Sequence, residues 1–165
     1  MFDVALAKTA LSAIRLTMEE NRDRLIELDS AVGDGDLGLT MCKAFIAADE
    51  ALAGSSETDV GKFLMQAGMT MARAAPSTMG TLMGTGFMRG GKALKGKTAC
   101  DPSDLAAFFR AFSDGLQDRG KAKPGDKTVV DVLDPVAAAA EAAASGGDMA
   151  TLAGAIHDAA RKKPG

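Results

Sequence analysis

The sequence predicts an all-α domain, an antiparallel bundle or barrel of about seven to eight helices, and three observations predict it. Apolar positions recur at helical spacing along nearly the whole chain. The core-forming residues are Ala, Leu and ten Met, with seven Phe and neither Trp nor Tyr, whereas strands draw on aromatic and β-branched side chains. Val, Ile and Thr never alternate with polar residues over a strand's length, so no strand is expected.

Residues 3–28 carry apolar positions from Val4 to Leu28, interrupted at Glu19-Glu20-Asn21-Arg22, which predicts one long helix or two consecutive ones. A Gly-rich turn at 33–38 precedes a helix from Gly38 to Ala53 with Leu39, Cys42, Phe45 and Ile46 on one face. Ser55-Ser56-Glu57-Thr58-Asp59 is a loop and cap leading into a helix over 59–73, and Pro76-Ser77-Thr78 opens another over 78–94. Gly80, Gly84, Gly86, Gly90 and Gly91 in that helix would each cost about 1 kcal/mol against Ala if exposed. They therefore mark close approach, either by a neighbouring helix or by a ligand. Pro102-Ser103-Asp104 caps a helix over 104–118 with a stripe of Leu105, Phe108, Phe109 and Phe112. Asp126 is read as the cap of a helix running through Ala144, and Gly146-Gly147-Asp148 turns into a last helix over 148–162. Helices of this length joined by short loops pack as antiparallel neighbours.

One domain accounts for all 165 residues, and no internal repeat divides them. The net charge of −3 argues against a nucleic-acid partner, which would require a basic face. No apolar run approaches the ~18 residues of a membrane span, and the first residues show no signal peptide. Cys42 and Cys100 stand apart without a CxxC pair. These features predict free thiols in a soluble, cytoplasmic protein.

The chemistry concentrates in three loops. In Asp29-Ser-Ala-Val-Gly33-Asp34-Gly35-Asp36-Leu37-Gly38, three carboxylates fall within eight residues, separated by glycines that let the backbone bend. Such oxygen donors suit Mg²⁺, which keeps water and phosphate oxygens at its remaining positions. The order of an EF-hand loop is absent. The helix that starts near Gly38 adds unpaired N–H groups facing any phosphate. The second loop, Ala75-Pro76-Ser77-Thr78-Met79-Gly80-Thr81, repeats that arrangement, with Ser77 or Thr78 as cap and Gly80 leaving room for a ligand. The third, Gly120-Lys-Ala-Lys-Pro-Gly125-Asp126-Lys127-Thr128, is a lysine-bearing turn and lacks the P-loop pattern. His157, the one histidine, is read as a surface or packing residue, Cys42 as core, Arg73 and Arg89 as surface cations. Lys127 is read equally as a phosphate neighbour or a solvated lysine.

In their order and separations, the three loops resemble the nucleotide-binding (DhaL-type) domain of dihydroxyacetone kinases. The matching segments are Asp29 with Gly33-Asp34-Gly35-Asp36, then Ser77-Thr78-Met79-Gly80, then Gly125-Asp126-Lys127-Thr128 with Asp131 and Pro135. The resemblance implies an eight-helix antiparallel barrel with ADP or ATP and two Mg²⁺ ions at one end. Asp29, Asp34 and Asp36 would carry the ions, while Leu37, Gly38, Leu39, Thr40, Thr78, Met79, Gly120 and Val129 fall where family members line phosphates or adenine. It also implies a DhaK-like partner subunit that holds dihydroxyacetone on its own histidine. The phosphoryl source is either ATP or a phosphotransferase-system carrier protein that recharges bound ADP. A homodimer is compatible with it. Leu37 stands where the family usually has His and Thr40 where it often has Asn. The family's closing segment with its Gly-Glu-Arg-like stretch finds no counterpart before Gly165. A kinase for another acceptor, such as a fatty acid, and a nucleotide-binding regulatory module are the rival readings.

Overall fold

A computed structural model of the chain describes residues 1–162. The last lysine of the basic group Arg161-Lys162-Lys163, and the Pro164-Gly165 end where the family's closing segment was sought, lie outside them.

Among the described residues there are eight helices: α1 (Val4–Glu20), α2 (Arg22–Ser30), α3 (Leu37–Leu52), α4 (Val60–Ala74), α5 (Thr78–Ala93), α6 (Pro102–Gly120), α7 (Val130–Ala144) and α8 (Met149–Arg161). The expected interruption near Glu20 is the break between α1 and α2, where Asn21 folds its side-chain amide back onto the carbonyl of Thr17 at 2.9 Å. Aspartates start four of the helices. Asp3, Asp59, Asp101 and Asp148 each accept a backbone N–H from the first turn that follows, which satisfies a donor the helix cannot pair internally. Asp101 and Asp104 form a reciprocal capping box with Pro102 in the first turn, so α6 begins two residues before the predicted start.

Three expectations need correction. Phe2–Asp3 pairs antiparallel with Ala99–Cys100 (β1 and β2), a ladder of two residues per strand and too short to leave any sequence periodicity. Helix α7 starts at Val130 and not at Asp126, because the chain takes left-handed turns at Gly125 (φ 98°) and Lys127 (φ 58°) before it can enter a helix. Leu39 is 56% exposed and does not belong to the buried face of α3, which is built from Met41, Cys42, Ala44, Phe45 and Ala48.

Sequential helices are neighbours, and α4, α5, α6, α7 and α8 pack each against the next while α3 lies between α1 and α4. Helices α4 and α5 approach each other closely. A β-carbon on Gly84 would lie 2.7 Å from the carbonyl oxygen of Gly68, and one on Gly91 would lie 2.7 Å from that of Gly61. On the other side of α5, Gly86 and Gly90 receive the rings of Phe112 and Phe108. Helix packing therefore accounts for these four glycines. The core centres on Phe63, Met71, Leu94 and Leu116. Phe87 meets Phe45, Phe108 and Phe112 edge-on with centroids 5.3–6.2 Å apart. An apolar cavity of about 590 Å³ remains where α1 faces α6 and α8. Among the described residues, no helix is long and apolar enough to cross a membrane.

In an up-and-down order the connections α2–α3, α4–α5 and α6–α7 share one end of the bundle. Those are the three loops that the sequence singled out. Gly120, at the end of α6, lies against Leu82 in the second turn of α5, which ties the third loop to the second.

Candidate functional site

The first loop is shaped by its glycines. Asp29 sits in the last turn of α2, and its carbonyl accepts the N–H groups of Val32 and Gly33, which reverses the chain. A side chain at Gly33 would come within 2.8 Å of Asp29 Oδ1, so glycine there leaves the carboxylate its position. Gly35 has φ +74°, a left-handed conformation, and faces the Ser30 hydroxyl, where a β-carbon would collide. The chain then enters α3 with Asp36 at the cap position, yet Asp36 makes no capping bond with its side chain. Asp29 Oδ2 takes that role across the loop, accepting the N–H of Leu37 at 3.2 Å. The carboxylate of Asp36 is thereby left free to turn toward Asp34.

As a result Asp29, Asp34 and Asp36 each offer a carboxylate oxygen, all within 4.8 Å of one another. Asp29 is half-buried and the other two are exposed. Among the described residues no ion pair involves any of the three. Two unit charges at that distance repel by about 1 kcal/mol in water and about 3–4 kcal/mol at an effective dielectric of 20. A hard divalent cation relieves this repulsion, and three carboxylate oxygens at this spacing are a donor set that fits Mg²⁺.

Two helices, α3 and α5, begin at this end of the bundle. The N–H groups of Gly38 and Leu39 in α3, and of Thr78 and Met79 in α5, make no hydrogen bond among the described residues. Such donors accept anion oxygens. Thr40, buried, bonds back to the Asp36 carbonyl at 2.9 Å. In the second loop the cap is Ser77, whose hydroxyl accepts the Gly80 N–H at 3.1 Å. The space left by the missing side chain of Gly80 is filled by the carbonyl of Ala75. Gly80 thus serves the turn itself, which corrects the expectation that it leaves room for a ligand.

The third loop holds a residue whose part the sequence reading assigned elsewhere. Asp126 does not cap α7 and instead accepts the Lys123 N–H at 2.9 Å. The organising carboxylate is Asp131, in the first turn of α7, which accepts the N–H groups of Gly125 at 2.6 Å and Thr128 at 2.8 Å. These bonds hold its carboxyl below the usual carboxylate range. The spacing Thr128-x-x-Asp131 is a capping-box signature and would have located it. Gly120 is the last residue of α6, and Val129 packs half-buried on the core just before α7. His157 is exposed on α8 beside Asp158, and Arg89 is exposed and paired with Asp118 at 3.2 Å. Arg73 is exposed in the last turn of α4. Cys42 is core, its thiol directed at the Met18 carbonyl.

The DAK2 domain matches residues 31–164. The chain belongs to the DAK2 domain family. It is 38% identical over 112 residues to the ADP-binding subunit DhaL of the PEP-dependent dihydroxyacetone kinase of Escherichia coli, covering 68% of this chain and 53% of that protein. A DhaL subunit of a PEP-dependent dihydroxyacetone kinase from Listeria innocua is 34% identical over 119 residues, or 72% of this chain and 60% of the other. The D-erythrulose kinase of Mycolicibacterium smegmatis is 35% identical over 132 residues, covering 79% of this chain and 23% of that enzyme. The chain thus spans between half and two thirds of the length of these ADP-binding subunits.

Proposed function

We propose that this DAK2 chain is the nucleotide-binding component of a two-part kinase acting on dihydroxyacetone or a related short keto sugar. The observation that carries the reading is the convergence of Asp29, Asp34 and Asp36 at the N-terminus of α3, whose first-turn N–H groups of Gly38 and Leu39 are open. Residues 1–165 act as one domain. The three aspartates hold Mg²⁺, two ions in the complete site, and the ions hold ADP or ATP. Leu37, Gly38, Leu39 and Thr40 receive the phosphates from one side and Ser77, Thr78, Met79 and Gly80 form the facing turn. Gly120 and Val129 border the nucleotide from the third loop.

Phosphoryl transfer demands positioning and charge neutralisation more than covalent chemistry. Mg²⁺ held by Asp29, Asp34 and Asp36 would supply the neutralisation by withdrawing charge from the phosphates. The chain's own part is to orient. Asp29 fixes the start of α3 through the Leu37 N–H, and the first-turn donors of α3 and α5 aim at phosphate oxygens. The single histidine is exposed and lies outside the three loops, so a carbonyl substrate is held by a DhaK-like partner subunit. A PTS-dependent DhaL relative from Lactococcus lactis favours a phosphotransferase-system carrier protein as the phosphoryl source, and the erythrulose kinase favours a four-carbon acceptor as the alternative to dihydroxyacetone. The protein works in the cytoplasm, as a monomer or a homodimer.

Calorimetric titration with ADP tests the reading. Binding is expected in Mg²⁺ and lost after chelation, and Asp34→Ala lowers the affinity by about two orders of magnitude, on the order of 2.7 kcal/mol. Wild-type affinity in that variant removes the metal assignment.

A further inference from the structure

We infer that Asp131 is the positioning residue of the third loop: its carboxylate holds the 121–129 connection in the shape that sets Gly120 and Val129 beside the nucleotide. The inference rests on the proposed nucleotide-binding function and assigns a part to a residue that would not itself touch the ligand.

The connection has little else to hold it. Of residues 121–129 only Ala122 and Val129 pack against the core, and the rest are exposed. Its course is also a costly one. Lys121 (φ 55°) and Lys127 (φ 58°) are both left-handed without being glycine, and Gly125 (φ 98°) makes a third such turn. Asp131 offsets that cost by gathering the N–H of Gly125 from the loop's middle and the N–H of Thr128 from its end. Thr128 completes the arrangement by accepting the Val130 N–H on its hydroxyl at 3.2 Å. One carboxylate thus ties the loop to the first turn of α7, a helix whose cap residue, Val129, has no side chain able to do so. A charged acceptor receiving two backbone donors is about twice as strong per bond as a neutral one.

The test compares Asp131→Ala and Asp131→Asn with Asp148→Ala, which removes the carboxylate that caps the start of α8. Three quantities are read on the full chain: Mn²⁺ binding in the absence of nucleotide, ADP affinity in saturating Mg²⁺, and amide exchange at Gly125 and Thr128. Asp131→Ala should raise the Kd for ADP about tenfold through lost preorganisation. Asp131→Asn, which keeps one acceptor oxygen, should raise it less. Mn²⁺ binding at the aspartate cluster should be unchanged in both, and exchange should quicken at the two amides. Asp148→Ala should leave ADP affinity within about twofold of wild type even where it costs as much in Tm. If Asp131→Ala binds ADP as tightly as Asp148→Ala does, the carboxylate is merely structural and the inference is overturned. Should Asp131→Ala fail to fold, faster exchange at Gly125 with wild-type ADP affinity in Asp131→Asn overturns it equally. A wild-type chain that binds no ADP defeats the nucleotide function as well, and is recognised because the variants then have nothing to lose.

Discussion

Replacing Gly84 with Ala sets two effects of known size against each other. In an exposed helix the change is favourable by about 1 kcal/mol, because Ala loses less backbone entropy than Gly. At Gly84 the new β-carbon would lie 2.7 Å from the carbonyl oxygen of Gly68 and 2.9 Å from Cβ of Ala72, while ordinary contact begins at 3.4 Å. The first obstacle is backbone, so no rotamer relieves it, and α4 and α5 must separate by about 0.7 Å. Forcing a methyl group into a packed interface costs about 1–3 kcal/mol, and a backbone-to-backbone contact belongs at the upper end. The net is a destabilisation of about 1–2 kcal/mol, or roughly 3–8 °C in Tm for a chain of this size. Gly154→Ala is the matched control. Gly154 lies in α8 with nothing within 4 Å of its missing β-carbon, so Tm should rise by roughly 2–4 °C. Thermal unfolding followed by circular dichroism at 222 nm reads both. An increase in Tm for Gly84→Ala comparable to that of Gly154→Ala would refute the packing argument for the α4–α5 glycines.

Acid should destabilise the fold through its caps. Asp59 is desolvated, which alone would raise its pKa, but the N–H groups of Lys62 and Gly96 outweigh that and lower it; Asp101 and Asp148 are lowered by their own hydrogen bonds. A depressed folded-state pKa gives stability that is complete above the unfolded value near 4 and lost as pH falls through the folded one. Tm should therefore be level from pH 7 to about 5 and fall below about 4, with a shallower fall in Asp59→Asn; an equal slope in that variant contradicts the assignment. Burial pushes the Cys100 thiol up to about 11 and raises that of Cys42, so neither should react with a disulfide reagent at pH 8 until the protein unfolds. Labelling of Cys100 within minutes in the native state would show that β2 opens readily. Arg110 grips Glu141 with two nitrogens at 2.9 Å and Asp134 at 2.8 Å, joining α6 to α7. Arg110→Lys loses the two-pronged geometry and should lower stability by about 1 kcal/mol in urea unfolding; no change would mean that solvent screens the network.

The helices were legible because each reports on itself. The 3.6-residue rhythm, the caps at Asp59 and Asp148 and the break at Asn21 are local signals, and the structure follows them to within a few residues. What escaped the sequence depends on partners far along the chain. The ladder of Phe2 with Cys100 and the exposure of Leu39 belong to this class. The glycines of α5 were ambiguous for the same reason, since only the course of α4 and α6 shows that Gly68 and Phe112 fill the vacant space. At the site, the aspartate cluster could be read from residue type and spacing alone, because Gly33 and Gly35 announce a chain that folds back within a few residues. Residue type alone does not separate Asp131 from Asp126. Both are carboxylates near a helix start, and what decides between them is which one the left-handed turns at Gly125 and Lys127 bring to the loop's N–H groups.

The connections of the bundle differ in how tightly they are packed. In the α2–α3 connection Gly33, Gly35 and the Gly38 that follows are each hemmed in by neighbouring atoms, whereas Gly54, just after α3 at the opposite end, faces open space. Extra residues or a fluorescent tag should therefore be accepted at Gly54, between α3 and α4, while one inserted residue between Asp29 and Leu37 would sever the bond by which one connection aligns the next helix. Variation over evolutionary time has the same freedom at the α3–α4 connection, without disturbing the end that carries the aspartate cluster.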